Sequence, residues 1–254
     1  MHTPMRSCQR WMCGCLLAAA LAGLSPATHA QDADKTKWHG NIALGMTLAK
    51  GNSETFQLNA AALAEKLLAR DEFRLGASVT HAIANWGRTN ESVSANAIQA
   101  FGDYKHLFSE RWYGNLRADF LHDDVADIAY RVILSPAVGY YFIKNDTTRL
   151  SGEIGPGYVT EDQNGNKDDY LTLRVSQRGE HAFSKTAKVW EQVDYLPQVK
   201  DFSDYLLLAE VGAEAALNSR WSLRVVFQDK YDSVPADGKK ANDLTLISAL
   251  VWKY

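Results

Sequence analysis

Charged residues recur at even spacings along this sequence, and that spacing decides what chemistry they can do. Arg117 and Asp119, Arg149 and Glu153, Arg174 and Arg178, Glu210 and Glu214, and Arg224 alternate with Leu, Val, Ala, Tyr or Trp. Arg131, Glu180, Asp194 and Lys230 belong to the same polar set. Successive side chains of an extended chain point to opposite faces, so these charges share one face of a sheet. Such a face can line an aqueous pore. Alternatively, opposite charges pair across neighbouring strands and fill a narrow interior. The signs here are mixed and no ring of one sign emerges, which favours pairing.

Other groups offer less. Asp162 to Asp169 is rich enough in acids to suggest calcium. It lacks the glycine and the downstream bidentate Glu of a helix-loop-helix site, and reads as a solvated loop. Asp123, Asp124 and Asp127 form a similar cluster. His122 follows Phe120 on an apolar face and is the best candidate for the base of a lipid hydrolase. A hydrolase needs a nucleophile and an orienting group within hydrogen-bond reach, and no nucleophile motif accompanies His122. The expectation is therefore no catalytic, cofactor-binding or metal-binding residue.

The elements that must position the polar face are strands. The chain ends on Tyr254, preceded at every second residue by Trp252, Leu250, Ser248, Leu246 and Leu244. Terminal residues are usually frayed and polar, yet this run is the most regular in the sequence. It resembles the C-terminal strand of bacterial outer-membrane barrels, and the resemblance implies an assembly signal made of Tyr254, Trp252 and Leu250. At the other end, Arg6 and Arg10 precede the apolar run Leu16–Leu24 and the small-residue site Thr28-His29-Ala30. That layout predicts a cleaved signal peptide over 1–30 and Sec-type export. Cys8, Cys13 and Cys15 all lie inside it, so residues 31–254 carry no thiol chemistry.

Composition narrows the class. The whole chain has 27 basic and 30 acidic residues. Two of the basic residues, Arg6 and Arg10, fall in the leader, which leaves 25 against 30, a formal net charge of −5, over 31–254. That argues against a nucleic-acid partner, which needs a basic face. No later stretch is apolar for long enough to make a transmembrane helix.

Period-two runs recur about twelve times. The fifth sets Trp112, Gly114, Leu116, Ala118 and Phe120 against Asn115, Arg117 and Asp119. In the fourth, Val93, Ala95, Ala97 and Phe101 suggest one apolar face, with Ile98 and Tyr104 out of phase. In the ninth, Val189, Val193 and Tyr195 share a face with Glu191, while Trp190 opposes them. Tight polar turns, such as Lys144–Thr147 and Asn218–Arg220, alternate with longer connections, such as Thr160–Asp169 and Gln198–Asp204. Trp38, Trp112, Trp221 and Trp252 stand near run ends, as interface anchors do. The pattern predicts a transmembrane antiparallel β-barrel of about twelve strands over 31–254, with both termini on the periplasmic side.

Two stretches add a family resemblance. Trp38 to Gly45 leads into Lys50-Gly51-Asn52-Ser53-Glu54-Thr55, and Tyr231-Asp232-Ser233-Val234-Pro235 leads into Asp237-Gly238-Lys239-Lys240 and Asp243. These resemble the YdiY-like family of salt-induced outer-membrane proteins, a family of unknown function. Ala241-Asn242 before Asp243 departs from the family pattern, which usually has a single Thr there. The resemblance implies a barrel in the cell outer membrane and brings no catalytic residue. The expected partners are outer-membrane lipid and lipopolysaccharide, with the barrel-assembly machinery during insertion. The expected role is structural or stress-adaptive and non-enzymatic. The alternatives are a narrow passive diffusion pore and, more distantly, an outer-membrane lipid hydrolase.

Overall fold

A computed structural model of the protein describes residues 37–49 and 55–254. The expected signal peptide and the Lys50–Ser53 turn lie outside the described residues. Twelve strands follow one another: β1 (His39–Ala49), β2 (Thr55–Leu67), β3 (Asp71–Ala84), β4 (Ser92–Leu107), β5 (Trp112–Asp123), β6 (Ile128–Lys144), β7 (Thr148–Gln163), β8 (Asn166–Ala182), β9 (Ala187–Pro197), β10 (Tyr205–Ala216), β11 (Trp221–Asp232) and β12 (Asn242–Lys253). Each pairs antiparallel with its sequence neighbours, and β1 pairs with β12, so the sheet closes into a barrel. Closure leaves no open edge, so the backbone can be satisfied within the wall without water.

Alternation sorts the side chains. Leu44, Met46, Leu75, Leu116, Val138, Ile154, Leu171, Val211, Leu223 and Leu246 all point outward and are exposed. An exposed apolar belt of this extent would be unstable in water and is what a lipid environment requires. Two aromatic girdles bound it. At the end with the tight turns stand Phe108, Trp112, Phe142, Trp221, Trp252 and Tyr254, where Trp112 packs edge-on against Tyr140. At the other end Tyr195, Tyr205 and Tyr231 stack in a row. The belt and its girdles make this an outer-membrane barrel, with the tight turns toward the periplasm.

Two sequence expectations change. Strands β7 and β8 continue to a two-residue turn, Asn164-Gly165, in place of a long loop over Thr160–Asp169. Both turn residues have positive φ, 53° and 74°, which asparagine and glycine tolerate and which suits the twist of a hairpin. The acid-rich segment is thereby strand, with Asp162 opposite Lys167. In β4, Phe101 points inward and Ile98 and Tyr104 point outward, the reverse of the expected faces. A bulge near Ile83 shifts the register between β3 and β4, so Val93 is not in phase with the rest of the strand. In β9, Trp190 is buried in the lumen, opposite the face that Glu191 shares with Val189, Val193 and Tyr195, as the alternation of that run predicts.

Candidate functional site

The lumen is divided lengthwise. Its filled part centres on β7, with inward residues of β4, β5, β8 and β9 packed around it. Glu153 on β7 accepts from Lys105 Nζ at 2.6 Å, from Tyr113 Oη at 2.9 Å and from Arg174 at 3.0 Å. Arg174 on β8 also donates to Asp194 on β9, at 2.7 and 2.9 Å, and Asp194 takes a further bond from Gln192. Arg174 is 3% exposed and Asp194 is 5% exposed. Arg117 on β5 forks onto Asp119 at 2.6–3.0 Å and stands 3.5 Å from Asp103. The Tyr113 ring packs where a Cβ on Gly139 would have to go, so that glycine lets the ring lie flat on the wall. Lys105 stands 4.6 Å over the same ring. Each buried charge here meets opposite charge and hydrogen bonds, the condition under which buried ions are tolerated.

Where inward residues are small, as at Ala43, Ala61, Gly76, Ser78 and Ala249, a cavity of about 780 Å³ remains, bounded across the lumen by Arg117, Asp119, Arg178 and Trp190. Lys253 and Tyr254 line it at the periplasmic end, and Arg131 and Lys230 line it toward the outer end. Its wall alternates charge and aromatic surface. Phe101 lies between Arg117 and Arg74, at 4.7 and 5.6 Å. Trp190 donates its Nε1–H to Glu210 at 2.6 Å and faces Arg224 at 5.7 Å. Glu214 holds both Arg224, at 2.7 Å, and Lys253, at 2.6 Å. Arg178 donates to Gln192 at 2.8 Å, and its nearest carboxylate, Glu180, is 3.8 Å away.

A second cavity of about 240 Å³ forms an outer vestibule. Arg131 lines both cavities and bonds Glu161 and, at 2.9 Å, Asp232. Beside it Ile133, Val159, Leu196 and Leu206 pack together with Tyr170. In the 198–204 loop, Asp204 faces this vestibule. Burial first, and then the neighbouring Asp232 and Asp201, hold its carboxyl above the usual carboxylate value of 3.8.

All nine expected lumen charges belong to the inward set, but they divide. Arg117, Asp119, Arg178, Glu210, Glu214 and Arg224 line the open cavity. Glu153 and Arg174 lie in the filled half. Arg149, the second residue of β7, is exposed at the periplasmic rim. Sequence reading missed Asp103 and Lys105, which share the inward phase of Phe101 and were hidden by the inverted reading of β4. Leu250 and Trp252 face outward on β12, opposite Leu44 and Ile42 of β1. His122 is tied at Nδ1 to the Ala129 carbonyl, 2.8 Å away, and at Nε2 to Asp124, 3.1 Å away, so it clamps the β5–β6 turn.

The model of the family described as "Protein of unknown function, DUF481" matches residues 42–254. Among solved structures, the fold is similar to the NanC porin, with a TM-score of 0.51 at 7% identity over 84% of this chain and 99% of that one. It is also similar to the COG4313 outer membrane channel from Pseudomonas putida F1, with a TM-score of 0.50 at 8% identity over 91% of this chain and all of that one (100%). At such identities the likeness is one of fold. No curated protein matches the sequence.

Proposed function

We propose a function for a chain that belongs to the DUF481 family, proteins of unknown function: it is a narrow passive channel for small polar solutes across the outer membrane. One observation carries the reading. The 780 Å³ cavity is lined by Lys253 and Tyr254 at one end and by Arg131 and Lys230 toward the other, so open space follows most of the barrel's length. The filled half is the rigid wall of that passage. Fixed Lys105–Glu153–Arg174–Asp194 contacts keep the side chains of β4–β9 from collapsing into the open half. Arg131, ion-paired with Glu161 and Asp232, stands where the two cavities meet, and this group is the one that would set the size limit. The channel is non-enzymatic and uses no cofactor. It is exported on its leader, inserted by the barrel-assembly machinery, and surrounded by lipid and lipopolysaccharide.

The test is single-channel recording of refolded protein in planar bilayers. Small, steady conductance that falls with solute size is expected. Silence from protein that shows heat-modifiable gel mobility would overturn the channel. The reading that would then stand is a structural, stress-adaptive envelope protein of salt-induced type. The salt-bridge lattice across β4–β9 favours it, since a lattice held by several ions stiffens a barrel whether or not it conducts.

A further inference from the structure

A carboxylate breaks the lipid-facing belt near its middle. Glu191 on β9 points outward, since its neighbours Trp190 and Gln192 line the lumen. It lies four residues from Tyr195 of the outer girdle and four from Ala187 at the periplasmic start of β9. At a rise of about 3.3 Å per residue, that is roughly 13 Å from either end. The register continues its row through Val211, Phe227 and Leu246, all exposed apolar residues. A carboxylate in that row, facing lipid alone, is costly.

Glu191 is not alone. Gln177 on β8, also outward, donates from Nε2 to Glu191 Oε1 at 2.6 Å. The Glu191 side chain lies flat over Gly179, where a Cβ would strike its carboxylate. Gln177 keeps a second N–H, and among the described residues Glu191 Oε2 takes no hydrogen bond. Next to the pair, the outward residues Ala209 and Ala213 of β10 are small, so the wall is smooth. Small residues permit close contact between membrane elements, and polar side chains then bond across the contact.

We infer that the outer wall of β8–β10 is covered in the membrane by a second copy of this chain, related by a two-fold axis, with each Gln177 bonding the other copy's Glu191. The argument is geometric. Copies inserted in the same sense are related by an axis along the membrane normal, which exchanges left and right and preserves depth. An axis passing between β8 and β9 therefore sets β8 of one copy against β9 of the other. A donor on β8 and an acceptor on β9, one row apart, is a self-complementary pair under that operation. Each carboxylate then receives two amide donors in place of one and no longer faces lipid.

Sedimentation equilibrium of the full chain in density-matched detergent tests this. The wild type is expected to sediment as a dimer. Gln177→Leu and Glu191→Leu should each raise the dissociation constant tenfold or more, while heat-modifiable mobility shows that the barrels remain folded. Val189→Trp, which adds apolar bulk in the row beside Glu191, should also part the copies without adding polarity. Leu75→Trp on β3, across the barrel, should leave the dimer intact. A wild type that is monomeric at every protein-to-detergent ratio would overturn the inference. So would a dimer indifferent to all three β8–β9 substitutions.

Discussion

Arg174 shows how much a single lumen charge can matter. It is fully enclosed and satisfies Asp194 and Glu153 together. Arg174→Ala leaves Asp194 buried without its cation, which should destabilise the folded barrel by about 3–5 kcal/mol. Arg174→Lys should recover only part of that, because an ammonium cannot reproduce the fork that spans two strands. Glu210 is a different case. Its partners are Trp190 Nε1 and Gln228 Nε2, both neutral donors. Glu210→Ala should therefore cost about 1–3 kcal/mol. Urea unfolding of the refolded variants in lipid vesicles ranks them, and equal losses would contradict the division of the lumen into filled and open halves. Outside the membrane, Asp204 makes a pH-dependent contribution. Its carboxyl titrates above the usual value in the folded loop, so the fold favours the neutral form. The resulting stability is present below the ordinary carboxylate value and is lost as pH rises through the raised one. Protection factors for amides of the 198–204 loop should fall over that interval, and Asp204→Asn should remove the fall. A slope unchanged in Asp204→Asn would assign it to another group.

A strand adds a choice of face, and here the two faces behave differently from a simple inside–outside rule. Leu116 on β5 is 46% exposed toward lipid, and Leu116→Arg should cost about 2–4 kcal/mol near the midplane. Its neighbour Asn115 faces the lumen, yet it is 5% exposed and bonds Asp103, so Asn115→Arg overpacks the filled half and costs about 1–3 kcal/mol. Ser78→Arg, on the open side, should cost less than either and should narrow the conductance. Vesicle unfolding together with bilayer recording checks the order, and a Ser78→Arg as damaging as Leu116→Arg would refute the open half. The same contrast explains what sequence alone could deliver. Strand β5 was legible because Asn115, Arg117 and Asp119 on its lumen side alternate with Leu116, Ala118 and Phe120 on its lipid side. Strand β4 misled because a narrow lumen also admits an aromatic ring once arginines stack on it, as Arg74 and Arg117 do on Phe101. Strand β9 kept the right alternation but left its two faces undecided, since Glu191 stands on the lipid face and Trp190 in the lumen. The β7–β8 connection looked long because its acids resemble a loop, although Asn164-Gly165 carried the hairpin signal. Which half of the lumen stays open depends on how side chains meet across strands distant in sequence, and periodicity does not report that.

At the scale of the whole molecule, closure depends on one seam. Among the described residues β1 pairs with β12 over four registered positions, Asn41 to Leu44 against Lys253 to Leu250, whereas β1 and β2 align along the full length of β1. Two further backbone bonds extend the seam, from Tyr254 N to the Gly40 carbonyl at 3.1 Å and from Gly40 N to the Tyr254 carbonyl at 3.4 Å. The Tyr254 ring covers Gly40, and a Cβ there would collide with it. An aromatic ring laid over a glycine of the neighbouring strand pins register where backbone pairing is short. Trp252, whose ring centroid is 5.4 Å from that of Tyr254, continues the cover. Removing the ring and filling its seat should therefore produce the same defect. Tyr254→Ser and Gly40→Val should each lower the yield of barrel with heat-modifiable mobility. The double variant should be little worse than either alone, because both break one contact. Additive losses would show that Tyr254 acts elsewhere, as a signal read by the assembly machinery. Comparing insertion in cells with unassisted refolding into vesicles separates the two roles. A seam defect lowers both yields, and a recognition defect lowers only the first.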